Sequence, residues 1–328
     1  MYQLDVKDRK ILSQLDINAR QSNAEIGKKV RLSKEVVKYR IDNLINNGVI
    51  IRFHTVINYF KLGVQKHKLY LQLQNVDDEK IEEIVNYFHN HKKTEWLVQT
   101  TGKWDMIIGF LVNNINELDD EITIFMNKYH NYIRNKAITI TLNLVHHVRE
   151  YLSPEKQGKY ETVYHTTKDK KEAIDDLDTE LLRLLANNAR MQVTEIAKRL
   201  KTTARIIQYR IRQLEQKEII LAYKLHLDPR AIGNIFCKAI FTMSSMTKDQ
   251  LDKFISYSSG IKEAVWPQKV IGNWDFELDL EVEDYEAFQR ILSDIKNHFS
   301  NIIQQTEFCI TSKEYKLDLF PNAYPTYN

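Results

Sequence analysis

The chain carries one pattern twice. VVKYRIDNL at residues 36–44 returns as IIQYRIRQL at 206–214, with the Tyr-Arg-Ile core kept at an offset of 170 residues. The same offset superposes Asp5, Asp8, Leu12 and Leu15 on Asp175, Asp178, Leu182 and Leu185, and NAR at 18–20 on NAR at 188–190. It also brings Gly63 onto Gly233, Trp96 onto Trp266, and Gly102, Trp104 and Asp105 onto Gly272, Trp274 and Asp275, without a gap. Convergent helix patterning matches apolar positions, but it does not hold Trp, Gly and Asp in register. The chain is a tandem duplication, and each copy is to be read as one structural unit.

Within a copy the hydrophobic period changes once. From 8 to 47 the apolar positions Ile11, Leu12, Leu15, Ile26, Val30, Val37, Ile41 and Leu44 recur at helical spacing, in three segments broken near NARQSN and VRLS. Ser22 with Glu25 makes a capping box, Ser33 is a good N-cap and Gly48 a helix stop. Three short helices with a tight connection between the second and third describe a helix-turn-helix, and the extended run after Gly48 supplies a wing or connecting strand. KLYLQL, DEKIEEIVNYFHN, EWLVQTT, DMIIGFLV, NELDDEITIFMNKY and AITITLNLV then read as strand, helix, strand, strand, helix, strand. The expected fold is α+β: two repeats, each a (winged) helix-turn-helix followed by a βαββαβ ferredoxin-like module. The expected boundaries are 1–52 and 53–150 for the first copy, a linker at 151–173, then 174–222 and 223–328.

Composition, 43% hydrophobic and 28% charged, fits packed cores. No stretch approaches the run of about 18 apolar residues that a membrane span requires, so the expectation is a cytoplasmic protein with no membrane partner. Cys237 and Cys309 are too few for a disulfide framework or a thiolate zinc cage and read as buried free thiols.

The net charge of +3 matters only through its distribution. Residues 1–52 carry 11 Lys/Arg against 6 Asp/Glu, and the windows 22–40 and 192–210 are each +4. Basic charge gathered on the second and third helices of a helix-turn-helix is the footprint of phosphate binding, so double-stranded DNA is the expected partner. The buried stripe of the third helix turns Lys34, Glu35, Lys38 and Tyr39 outward near its N-terminal half, where such a helix meets base edges. The second copy offers Arg205, Gln208 and Tyr209 there; Arg and Gln make bidentate contacts to guanine and adenine worth about 1 to 3 kcal/mol each. Lys28, Lys29, Arg31, Lys198, Arg199 and Lys201 are placed for backbone phosphates. Arg40 and Arg210 suit either DNA or a structural salt bridge.

LDVKDRKILSQLDINAR, AEIGKKVRLSKEVVKYRIDNLINNGVI and TGKWD resemble the Lrp/AsnC, or feast/famine, family of transcriptional regulators, over nearly the whole chain and in two copies. The resemblance implies an N-terminal DNA-binding domain joined by a strand to an effector and dimerisation module. It further implies sheets that pair face to face, homo-oligomers, and amino-acid effectors. Family members usually carry one copy per chain, and this chain departs from them in being fused, so an internal pseudo-dimer is expected, or higher assemblies if the copies pair between chains. The family's G-x-x-D turn falls on Gly102 to Asp105 and Gly272 to Asp275, giving Gly102, Asp105, Gly272 and Asp275 a role in effector binding, beside the plainer reading of a hairpin turn.

The resemblance implies no catalytic residue, metal or cofactor. The rival reading is a siroheme decarboxylase, since those enzymes share the architecture and work as unequal halves; an amino-acid sensor that no longer binds DNA is a third. The decarboxylases carry a His-Asn-Tyr and Asn-Leu-Trp type signature where this chain has LVQTTGKWDMIIGF and VWPQKVIGNWDFELDL. His146 and His147 close a strand and read as surface or packing residues.

The copies are not equal. Strand alternation puts Asp105, Ile107, Gly109 and Leu111 on one face, against Asp275, Glu277, Asp279 and Glu281 in the second copy. Such a row of acids is either solvated or needs cations, with Lys238 on the first strand of the module one candidate and an effector's amino group another. Gly48 becomes Glu218, losing the favoured helix-ending residue, and Leu32-Ser33 becomes Thr202-Thr203, where Thr still caps, so neither change forbids the second DNA reader from folding.

Overall fold

A computed structural model describes residues 2–153, 163–244 and 247–321. The first copy opens with α1 (Val6–Ile17), α2 (Asn23–Val30) and α3 (Lys34–Asn46). Each helix starts where its cap residue dictates: Asp5 and Asp8 close one reciprocal box, Ser22 and Glu25 another, and Ser33 Oγ accepts from Val36 N at 3.2 Å. Ile11, Leu15, Ile26, Val37 and Leu44 are fully buried, so one apolar stripe per helix makes the core of this unit. Then come β1 (Ile50–Ile57), β2 (Gln65–Leu73), α4 (Asp78–Asn90), β3 (Thr94–Gly102), β4 (Met106–Val112), α5 (Ile115–Tyr129) and β5 (Ile133–His146).

A short strand, β6 (Val163–Thr166), precedes the second copy: α6 (Asp176–Ala186), α7 (Val193–Arg199), α8 (Ala204–Gln216), β7 (Ile220–Leu227), β8 (Ile235–Met243), α9 (Lys248–Ser258), β9 (Ala264–Gly272), β10 (Phe276–Val282), α10 (Tyr285–His298) and β11 (Ile303–Leu317). Part of the expected linker is therefore sheet. β6 pairs antiparallel with β5 from Asn143 to His146, because that end of β5 extends past its other partner and leaves an edge to be covered. Residues 154–162 of the expected linker lie outside the described residues.

The copies pair within the chain. β1 and β7 form an antiparallel ribbon beneath the helix-turn-helix units. The first module contributes strands in the order β5-β2-β4-β3 and the second β11-β8-β10-β9. β3 joins β11 and β9 joins β5, so eight antiparallel strands close on themselves and no free seam remains between copies. Leu69, Leu71, Ile108 and Phe110 face outward onto α4 and α5, and Phe241, Phe276, Leu278 and Leu280 belong to the matching core on the outer face of the second sheet. Tyr70, Val98, Ile107, Ile240, Trp104 and Trp274 meet in the space between the sheets.

Candidate nucleic-acid interface

Val37, Ile41 and Leu44 anchor α3, and Ile207, Ile211 and Leu214 anchor α8. That leaves Lys34, Glu35, Lys38 and Tyr39 exposed on one helix and Arg205, Gln208 and Tyr209 on the other. The tyrosines are 71% and 60% exposed, which rules out a core role for either ring. Lys28, Lys29 and Arg31, and Lys198, Arg199 and Lys201, are exposed as well. Arg31 and Lys201 take left-handed conformations, φ 57° and 52°, in the turn that joins the second and third helix of each unit. Lys38 pairs with Asp42 at 2.5 Å and Arg199 with Glu195 at 2.6 Å; being exposed and one helical turn apart, these pairs are weak and easily exchanged for phosphate.

Two expected residues do other work. Arg40 Nη1 donates to Asp5 at 2.8 Å and Asp8 at 2.7 Å, and Arg210 Nη1 meets Asp175 at 2.7 Å and Asp178 at 3.3 Å. Both guanidiniums tie the third helix to the N-cap of the first.

The repeated NAR motif acquires a role that its sequence did not reveal. Arg20 Nη1 donates to Ala189 O at 2.6 Å, while Arg190 donates to Ala19 O at 2.7 Å, Gln21 O at 3.0 Å and Asn23 Oδ1 at 2.7 Å. Each arginine also lies over a ring of the ribbon, Arg20 at 5.3 Å from Tyr223 and Arg190 at 5.2 Å from Phe53. Ala19 N donates to Tyr223 O and Ala189 N to Phe53 O. The two helix-turn-helix units are thus clasped reciprocally, each to the other copy's strand.

Residues 4–45 and 174–215 each match the AsnC-type helix-turn-helix domain. The chain is 32% identical over 123 residues to the HTH-type transcriptional regulator LrpB of Bacillus subtilis, covering 37% of this chain and 80% of that protein. It is 35% identical over 115 residues to the HTH-type transcriptional regulator Ptr1 of Methanocaldococcus jannaschii, covering 35% of this chain and 76% of the relative. The chain belongs to the Lrp/AsnC family. Its fold across both copies matches the siroheme decarboxylase NirDL, with a TM-score of 0.62 over 97% of this chain and 96% of that one. At 12% identity that likeness concerns the fold alone.

In this Lrp/AsnC chain the G-x-x-D turns lie at the seams between the modules. Asp105 Oδ2 accepts from Leu73 N at 2.7 Å, and Asp275 Oδ2 from Met243 N at 2.8 Å. Gly102 and Gly272 have φ of 119° and 151°. A Cβ on Gly102 would lie 2.6 Å from Phe308 O, and one on Gly272 would come closer still to Ile138 O, so both glycines admit the other copy's strand.

The acid row of β10 is buried between the sheets. Lys238 Nζ lies 3.1 Å from Glu277 and 2.6 Å from Asp279, as expected of the nearest cation. The second cation is Lys68, its own counterpart in the first copy, 2.5 Å from Glu277. Gln268 bridges Lys68 and Asp279, and Trp274 Nε1 and Thr139 Oγ1 donate to Glu277. Burial alone would raise the Glu277 pKa, but the two ammonium groups outweigh it and hold the carboxyl below its usual range. Burial likewise opposes the charge on Lys238, and its two carboxylates more than compensate, raising its pKa. At the end of the row Arg149 grips Glu281 at 2.7 and 2.9 Å and Asp16 of α1 at 2.7 Å, with the Tyr151 hydroxyl also on Glu281. One guanidinium therefore joins the first DNA-binding unit to the second module's sheet.

His146, His147 and His165 are packing groups. His146 Nδ1 accepts from Trp266 Nε1 at 3.1 Å, and His147 Nε2 lies 3.1 Å from Ser259 Oγ. Burial lowers His147 to about 4 and His165 to about 3, keeping both rings neutral. Cys237 and Cys309 are buried free thiols, their pKa values pushed up by burial to about 12 and about 11.

Proposed function

We propose that the chain is a sequence-specific DNA-binding transcriptional regulator that answers to an amino acid or similar small effector, reading two unequal half-sites of double-stranded DNA with α3 and α8. The observation that carries this reading is the pair of AsnC-type helix-turn-helix domains, clasped by Arg20 and Arg190 with their base-reading faces bare. Lys34, Glu35, Lys38 and Tyr39 read one half-site and Arg205, Gln208 and Tyr209 the other, while Lys28, Lys29, Arg31, Lys198, Arg199 and Lys201 bind phosphates. Gly102 and Gly272 bear on effector response by admitting the other copy's strand at the module seams, and Asp105 and Asp275 by tying each turn to the first strand of its own module. With both seams closed, any homo-oligomer assembles through the outer surfaces of the chain.

Genome-wide binding mapped with and without added amino acids, followed by titration of the recovered duplexes, tests the reading. Specific binding whose midpoint moves with an amino acid is expected. Failure to bind any duplex at low salt, or siroheme decarboxylation by the purified chain, overturns it. Arg205→Ala is expected to relax preference in one half-site by about 1 to 3 kcal/mol; uniform weakening across sequences would place Arg205 on phosphate instead.

A further inference from the structure

The 170-residue offset makes each side of the barrel comparable with the other, and one space filled on the first side is, among the described residues, open on the second. In the first copy β6 lies along the outer end of β5, and Thr167 N donates to Leu142 O at 3.0 Å. The His165 ring sits 5.2 Å from Tyr59 and 5.1 Å from His146, and Asn58 Nδ2 donates to Asp169 at 2.7 Å. Asn58, Tyr59, Phe60, Leu144 and Val145 are all buried as a result.

Among the described residues no strand takes that place in the second copy. β11 pairs with β8 as far as Ile310 and beyond it has β3 as its single neighbour. Arg230, counterpart of Phe60, donates to Ser312 O at 2.7 Å, the carbonyl equivalent to Leu142 O. What remains is a cavity of about 240 Å³ between the β1–β7 ribbon and the wall formed by β10 and β11, about the volume of eight liquid waters.

Its apolar walls are Ile51, Leu227, Phe236 and Trp266. Its carboxylates are engaged: Glu281 by Arg149, Asp228 by Arg230, and Glu314 by Trp96 Nε1 at 2.9 Å and His226 Nε2 at 3.1 Å. Arg52 is the exception. Its Nε donates to His226 Nδ1 and its Nη1 to Asn187 Oδ1, both at 3.2 Å, and among the described residues no carboxylate pairs with it. This half-buried guanidinium hydrogen-bonds to His226 and Asn187 while Glu314 and Asp318 act on it from beyond ion-pair distance, and burial outweighs their attraction and lowers its pKa. Carboxylate is the group whose geometry and charge complete it.

We propose that this cleft binds a small carboxylic acid with an aromatic or branched apolar body, its carboxylate on Arg52 and its body between Trp266 and Phe236. Arg52, His226 and Leu227 belong to the ribbon that carries the DNA-binding units, and Phe236, Trp266 and Glu314 to the barrel, so the occupant bridges the two layers. Its effect on DNA affinity rests on the reading above; its binding does not.

The test is calorimetric titration of the full chain with phenylacetate, 4-methylpentanoate and L-phenylalanine, with phenethylamine as a body lacking the carboxylate. At least one acid binds and the amine does not. Arg52→Gln weakens that binding about tenfold or more, and Ile51→Trp, a change at a half-exposed position that fills the cleft, abolishes it. No heat from any acid, equal binding of the amine, or affinity unchanged in both variants overturns the proposal. Should a variant fail to fold by circular dichroism, protection of Trp266 fluorescence from acrylamide by the acids in the unmodified chain is required in its place; no protection overturns the proposal too. An amino acid that shifts DNA binding equally in the unmodified chain and both variants would leave the regulator reading standing and remove this site.

Discussion

Glu277 is the residue on which the joint between the modules turns, because Lys68 reaches it from one copy and Lys238 from the other. Its folded-state pKa lies below that of a free glutamate, 4.5, so the attraction is complete above that pH and is lost as pH falls below it, while Lys68, which burial lowers to about 8, gives up its share as pH rises past that value. Lys238, raised from 10.5, contributes fully below that value and loses its contribution as pH climbs past it. Glu277→Gln leaves two buried ammonium groups short of one carboxylate, a loss of roughly 3 to 5 kcal/mol. Urea denaturation from pH 3 to 7 checks this: the unmodified chain loses stability toward the acid end, and the variant starts lower with a flatter acid limb. Strand alternation alone marked Asp275, Glu277, Asp279 and Glu281 as one face and Lys238 as a cation for it. Lys68 and Arg149 were not legible that way, because which sheet faces β10 is decided by ring closure and not by any local pattern.

Element boundaries were legible wherever a side chain itself satisfies the backbone. Ser22, Glu25 and Ser33 fix the starts of α2 and α3 as their spacing predicts. The ends of α3 and α8 keep one conformation although Glu218 stands where the first copy has Gly48, for both residues are left-handed, φ 70° and 54°. A non-glycine residue there costs roughly 1 kcal/mol, partly offset by the pair that exposed Glu218 makes with the half-buried Lys61 at 2.8 Å. Glu218→Gly is therefore expected to stabilise by about 0.5 kcal/mol and Gly48→Ala to destabilise by about 1 kcal/mol, both read from thermal midpoints. β6 was not legible: its four residues, VYHT, are too few to show alternation, and their strand exists because the end of β5 offers an unpaired edge.

At the scale of the whole molecule, the duplication made the pseudo-dimer visible but not the way its halves hold together. NAR was conspicuous as a repeat, yet only the crossing of Arg20 and Arg190 shows what the repetition does. Arg20→Ala combined with Arg190→Ala should leave the circular dichroism of the chain unchanged while weakening binding to a two-part duplex more than to either half alone. Fluorescence anisotropy on the three duplexes measures this, and equal weakening of all three would mean the clasp does not set the geometry of the readers. The two seams carry a further consequence. A regulator built from separate chains falls apart on dilution, and its second DNA-binding unit vanishes with the square of scarcity. Here β3 with β11 and β9 with β5 join parts of one polypeptide, so assembly contains no concentration term, and a single molecule in a cell is as completely paired as a thousand.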